Sequence, residues 1–218
     1  MSVTIKQIQQ ALEMVDFDVE RAHKKMAPAT RRMTRPLNLE GEPRYGGVLL
    51  LLYCKDKNMH IVLTRRRDDL TSHAGQISFP GGRNEPMESL LETALRETEE
   101  EVGVPSVKLE VLGALSPIYI PPSDFEVHPY VAWFQNGKRP VFKASIGEVA
   151  EIIEAPLAAL LDPASRAEET RDFGNFQVAV PFFTVQDHKV WGATAVMLSE
   201  FIERLRKILA LNSFHMVS

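Results

Sequence analysis

One cysteine in 218 residues, Cys54, leaves no partner for an intrachain disulfide and excludes a multi-cysteine zinc site, which suits a reducing compartment. Long apolar runs are also missing. The longest, Val48 to Cys54, falls far short of the ~20 residues that cross a bilayer, so no transmembrane helix is expected. The opening stretch MSVTIKQIQQALEMVDFD lacks a basic segment followed by an apolar one, and the cytoplasm is the expected location. Positive charge is not in excess either, since 25 Lys and Arg face 29 Asp and Glu for a formal net charge of -4. That balance excludes a global field attracting nucleic acid or an anionic membrane, so a polyanionic substrate must be met by local chemistry. The chain does have apolar material, 44% hydrophobic residues against 25% charged, enough for a sizeable core and too much for general disorder.

Ile5, Ile8, Leu12, Val15, Val19 and Ala22 recur at helical spacing, predicting an amphipathic helix or helix pair over residues 3–26. This stripe is too large to leave in water. It is expected to dock on the rest of the chain or on a second copy, with dimer packing or cover over a substrate cleft favoured over a purely core-covering role. A polar link follows, so residues 1–35 read as a helical extension with linker and 36–218 as the packed domain. GGVLLLLYC and HIVLTRR, separated by KDKN, predict a hairpin of mostly buried strands. Residues 64–85 read as a long loop, a kind of segment that is usually functional. Residues 86–102 form the clearest helix, with Met87, Leu91, Ala94, Leu95, Thr98 and Val102 on one stripe, Pro86 to open it and Gly103 to cap it. Strands are expected at 109–116, 128–134, 149–153 and 177–185, and helices at 157–161 and 193–210.

With Leu91 at the centre of the stripe, a helical wheel groups Glu97, Glu100 and Glu101 on an arc of about 100° beside it. Glu88, Glu92, Arg96 and Glu99 fall on the other flank, where Glu92 and Arg96 form an i,i+4 pair of favourable polarity. The first group repels itself and costs stability unless a cation neutralises it; oxygen-only ligands suit Mg²⁺ or Mn²⁺.

Gly82, five residues, Glu88, seven residues, and then Arg96-Glu97-Thr98-Glu99-Glu100-Glu101-Val102-Gly103-Val104 resemble the Nudix box. Thr98 stands where the pattern prefers an aliphatic residue, so its methyl must pack and its hydroxyl needs a partner. Upstream, Leu63-Thr64-Arg65-Arg66, Leu70, His73, Gly75-Gln76 and Ser78-Phe79-Pro80-Gly81-Gly82 resemble the extended signature of coenzyme A pyrophosphatases. YIPPSDFEVHP, EVAEIIEAP and VWGATA add to that likeness, which covers roughly residues 46–205. After the two glycines the family often has Asp, whereas this chain has Arg83-Asn84-Glu85; either Glu85 substitutes or the position affects only the helix entry.

The resemblance implies a Nudix α/β/α sandwich, a mixed sheet between helices, with the N-terminal helical extension added. It implies Mg²⁺ or Mn²⁺ on Glu97, Glu100 and Glu101. Glu100, Glu101 and Arg96 then form the catalytic set, the first two as candidates to deprotonate water and Arg96, with Glu88, as an orienting support. Glu148 is a weaker candidate base. Arg65, His73, Gln76, Gly81 and Gly82 are the implied substrate contacts, the two glycines because a side chain there would obstruct backbone approach to metal or phosphate. The implied reaction is metal-dependent hydrolysis of the diphosphate of coenzyme A or a derivative, giving 3',5'-ADP and 4'-phosphopantetheine. Another nucleoside diphosphate derivative is the alternative substrate, and a noncatalytic nucleotide-sensing module is the alternative class. The expected partner is a small CoA-type nucleotide, with neither nucleic acid nor membrane; the N-terminal helix, which carries none of these motifs, leaves a homodimer as one of its two expected roles, beside cover over the cleft.

Overall fold

The computed structural model describes residues 3–28, 34–70, 74–135, 138–172, 174 and 177–215. Two short helices, α1 (Ile5–Leu12) and α2 (Val19–Lys24), precede the hairpin β1 (Arg44–Lys55) and β2 (Asn58–Arg66). Asp56 and Lys57 turn it at φ 50° and 65°, the left-handed conformation that a two-residue hairpin turn demands. Next come β3 (Ile77–Ser78), β4 (Gly81–Arg83), α3 (Leu90–Val102), β5 (Leu109–Ala114), β6 (Ile118–Ile120) and β7 (Phe125–Phe134). The chain continues through β8 (Val149–Pro156), α4 (Leu157–Leu161), β9 (Arg166–Asp172), β10 (Gln177–Val185), β11 (His188–Trp191) and α5 (Gly192–His215).

The main sheet has the order β3-β2-β1-β7-β5, with β4 paired to β1, β6 to β7 and β8 to β2. Its β1–β7 pair is parallel and the other pairs are antiparallel, so the sheet is mixed. A parallel neighbour requires a crossover, and α3 lies in that crossover. Alternation along β1 then separates two cores. Leu49, Leu51 and Tyr53 pack with Ala94 and Val102 of α3, while Leu50 and Leu52 join Ile8, Phe201, Ile202 and Leu205 on the other face. Helices thus cover both faces of a mixed sheet, the expected sandwich. β9, β10 and β11 form a separate three-stranded sheet.

The 64–85 segment differs from the expectation of a loop, because two- and three-residue strands pair there with β2 and β1. Such strands are too short to leave a periodic signal. The acidic helix starts at Leu90 rather than Pro86: Ser89 and Glu92 form a capping box, and Met87, expected on the buried stripe, is fully exposed at φ 73°. β6, β9 and β11 were not expected. β9 reads RAEETRD and is largely exposed, with no apolar alternation to give it away. Cys54, expected in the core, is only half-buried at the end of β1.

The N-terminal stripe is buried within the chain. Ile8, Ala11, Ala22 and Met26 are fully covered, and α1 and α2 pack on α5. Val15, expected on the same stripe, lies between the two helices and is 94% exposed. Polar contacts lock the arrangement: Ser199 donates to the Ala22 carbonyl at 2.7 Å, and Arg204 donates to the Ala11 and Met14 carbonyls at 3.3 and 3.1 Å.

Candidate active site

The entry to α3 fixes everything that follows on it. Asn84 donates its side-chain amide to the Glu88 carbonyl at 3.0 Å and to the Thr93 hydroxyl at 2.9 Å. Glu85, the candidate substitute at this entry, contributes its backbone N–H to the Glu88 carboxylate at 2.9 Å. Glu88 also accepts from Thr93 at 2.7 Å and from Arg96 at 2.9 and 3.1 Å. With Arg96 as the main cause, its carboxyl is held well below the usual range, at about 2. The expected Glu92–Arg96 pair does not form. Glu92 turns back to the Ser89 N–H at 2.7 Å, while Arg96 spans Glu88, Glu97 at 2.8 Å and Glu100 at 3.3 Å. At the other end Gly103 takes the left-handed C-cap conformation, as expected.

The side of α3 that meets the sheet is centred on Ala94 and Thr98 rather than on Leu91, which is only half-buried. The Thr98 hydroxyl finds the Ala94 carbonyl at 2.6 Å, so the departure from an aliphatic residue leaves no polar atom unpaired. Rotating the helix this way drives Glu101, and in part Glu97, inward. Glu101 is 5% exposed and accepts one long hydrogen bond, 3.3 Å, from Thr64 of β2. Burial, reinforced by the Glu97 and Glu148 charges against weaker relief from Thr64 and Arg66, pushes its carboxyl up to about 8. Glu97 is raised too, chiefly by burial, with Glu100 and Glu148 adding and Arg96 opposing. Glu100 faces solvent.

Gly82 lies against Glu97: a methyl there would come within 2.3 Å of its carboxylate. Gly81, at φ 154°, has no room for one either, because the Gly47 carbonyl would be 2.4 Å away. The pairing Gly47↔Gly82 therefore brings the β4 backbone and α3 together through three residues that no side chain separates, since a methyl on Gly47 would strike the Leu90 carbonyl.

Of the three consecutive arginines, β2 alternation turns Arg66 to the α3 side with Thr64, and Arg65 to the opposite side with Leu63. Arg65 is held by Asp68 at 2.9 Å and Glu151 at 3.5 Å, and Arg67 by Asp69 at 2.8 and 2.6 Å. Arg66 keeps a buried Nε without a partner among the described residues and stands 3.8 Å from Glu148. Of the substrate contacts implied by the sequence, Gly81 and Gly82 are at the acid cluster, and the Gln76 carbonyl accepts from the Arg66 N–H at 2.9 Å. Arg65 is not brought there, and His73 lies outside the described residues. Thr64, Arg66 and Glu148 are the members that sequence reasoning missed or underweighted. Period-two alternation from the Thr64 position was the available signal for Arg66.

The donor set fits a hard divalent cation: Glu97, Glu100, Glu101 and Glu148 offer only oxygen, and burial together with mutual repulsion raises the carboxyls of Glu97 and Glu101. Among the described residues no three acidic, histidine or cysteine side chains already gather around one point. The cause is visible in the geometry, since Arg96 draws Glu97 and Glu100 to itself.

The model of the NUDIX domain matches residues 44–173, from the first residue of β1 to just past β9. The "Uncharacterized Nudix hydrolase NudL" of Photorhabdus laumondii is 37% identical over 172 residues, covering 78% of this chain and 90% of that protein. A probable Nudix hydrolase of Schizosaccharomyces pombe is 32% identical over 80% of this chain and 61% of its own length. Among solved structures, the MutT protein from Methanosarcina mazei superposes with a TM-score of 0.50 at 22% identity, covering 78% of this chain and 97% of that one. The Nudix hydrolase RenU from M. smegmatis gives 0.51 at 14% identity, covering 79% and 89%. These two likenesses carry the fold.

Proposed function

We propose a reaction from one premise: this chain belongs to the NUDIX domain family and is a Nudix hydrolase. The reading is hydrolysis of the diphosphate of coenzyme A or an acyl derivative, giving 3',5'-ADP and 4'-phosphopantetheine or its acyl form. One observation supports the diphosphate chemistry: Glu101, buried with one long hydrogen bond and the Glu97 charge acting on it, shares the α3 side with Arg66, whose buried Nε has no partner among the described residues. Such a site is built for a partner that brings both cations and phosphate oxygens.

A bound Mg²⁺ or Mn²⁺ supplies charge neutralisation at the diphosphate and a lowered pKa for water. Glu97, Glu100 and Glu101 are assigned to hold it, with Glu148 facing them across Arg66. Arg66 grips a non-bridging phosphate oxygen through its spare donors. Gly82 keeps β4 backbone close without intruding. Glu100, the solvent-facing acid, is assigned to accept the proton of the attacking water as the P–O–P bond breaks. Arg96 and Glu88 orient the helix that carries these groups. The CoA assignment draws on the extended segment before the acidic helix, of which Gln76 is placed beside Arg66.

Incubation with CoA, oxidised CoA and several dinucleotides, each with Mg²⁺ or Mn²⁺, tests this reading when products are identified by mass. Release of 3',5'-ADP from CoA is the expected result. Turnover of another nucleoside diphosphate with none of CoA would move the assignment to the alternative substrate class. Gln76→Ala is expected to harm CoA turnover more than Glu92→Ala, whose side chain only caps the helix.

A further inference from the structure

Where β1 begins, the sheet face turned away from α3 carries Arg44 and Gly46, with Phe125 of β7 paired beside Arg44 and Arg83 of β4 paired beside Gly46. The missing side chain at Gly46 matters. The Phe125 ring lies over it, so close that a methyl there would come within 2.6 Å of the ring. The Arg44 guanidinium stands 5.7 Å from the ring centroid and donates to the Ser123 carbonyl. Arg83 is exposed and makes no ion pair among the described residues.

Among the neighbouring acids, Asp124 feels the Arg44 charge, but its strongest partners lie elsewhere. Asp124 is gripped by Arg35 at 2.8 and 3.0 Å and by the Tyr119 hydroxyl at 2.9 Å. Glu42 and Glu126 are engaged by Tyr45 and His128, whose side chains alternate to the α3 side. The result is a half-buried aromatic ring over Gly46 with the Arg44 guanidinium against it and the exposed Arg83 paired beside that glycine, beginning one residue from the Gly82–Glu97 contact. A depression of about 510 Å³ beside the other flank, near Arg67 and Ile146, offers no comparable cation, since Arg67 is already held by Asp69.

We propose that Arg44, Arg83 and Phe125 form a specificity site for an adenine nucleotide that carries a phosphate outside its diphosphate, the purine lying against Phe125 and the extra phosphate between the guanidinium groups. This rests on the CoA reading above for its substrate and goes beyond it by fixing which end of the molecule lies on which side. The non-nucleotide arm then leaves toward the Arg67–Ile146 depression.

The test compares CoA with 3'-dephospho-CoA, which lacks the extra phosphate, in the wild type and in Arg83→Gln, Arg44→Gln and Arg83→Lys, with Mg²⁺ present. Wild-type kcat/KM is expected to favour CoA, and each Gln variant is expected to erode that preference about tenfold, mainly through KM, with partial recovery in Arg83→Lys. Equal losses on both substrates, or no loss on either, would overturn the site. If neither CoA form is hydrolysed, the CoA reading fails, and calorimetric binding of 3',5'-ADP against 5'-AMP judges the patch separately. Tighter binding of 3',5'-ADP that Arg83→Gln abolishes keeps it, and equal affinity removes it.

Discussion

Glu101 and Glu200 are both buried glutamates on long helices, and the molecule treats them in opposite ways. Glu200 of α5 is fully buried yet accepts from His23 at 2.8 Å, Arg204 at 2.9 Å and the Ser116 hydroxyl at 3.1 Å. Burial raises its carboxyl, but His23 and Arg204 outweigh burial and the net shift is downward. Glu101 has one long bond from Thr64 and a like charge beside it, and is pushed up to about 8. Glu200, which serves the fold, is supplied with its counter-charges; Glu101 is left without them, at the place where the proposed cation would supply charge. The first lies on the packing of α1 and α2 against α5, outside the span matched by the family model, and the second lies inside it.

Substitutions at the two positions should therefore diverge. Glu200→Ala leaves Arg204 and His23 buried without an anion, and a loss of about 3–5 kcal/mol in unfolding free energy is expected by denaturant titration. Glu101→Gln should hold or raise metal-free stability while lowering Mg²⁺-dependent turnover by about 10²-fold or more. Similar stability losses at both sites would erase the distinction.

Titration sharpens it further. Glu101 binds its proton more tightly folded than unfolded, so its contribution is fully present below about pH 4.5 and is lost as pH rises toward about 8. Metal-free stability should carry a slope from this group approaching about 1.4 kcal/mol per pH unit in that window, which Glu101→Gln flattens. Glu200 has the opposite sign: its contribution is present above the unfolded value of 4.5 and lost as pH falls through its lowered folded value. Thermal melts across pH 3–9 separate the two limbs.

Smaller effects follow at the edges of the site. Gly82→Ala must displace the Glu97 carboxylate, and turnover about tenfold lower with a Tm within a few degrees of wild type is expected. Glu92→Ala removes half of the α3 capping box and should cost about 1 kcal/mol by chemical denaturation with little change in kcat.

The helices, the hairpin and the longer strands were legible because their apolar residues keep a period; the 157–161 helix and the 177–185 strand fall within the expected bounds. β3, β4 and β6 are two or three residues long and could not show one. The acid cluster was legible as spacing, but which acid is buried was not. That depends on a rotation of α3 set by Gly47, Ala94 and Thr98, small residues that let the helix approach the sheet on a side a hydrophobicity wheel does not favour. The same wheel assigned Arg96 to Glu92, whereas Ser89 claims Glu92 from across the helix start and Glu88 claims Arg96. Arg65 and Arg66 look alike in sequence, and only the strand's facing and the carboxylates of Asp68 and Glu151 tell them apart.

Calorimetric titration of the protein with Mg²⁺ or Mn²⁺ at pH 6.5–7, repeated in buffers of different ionisation enthalpy, tests most directly whether the α3 carboxylates await a cation. Binding should release about one proton, drawn mainly from Glu101, and Glu101→Gln should weaken binding and abolish that release. Absence of metal binding, or wild-type binding with no proton released and no change in the variant, would contradict the account.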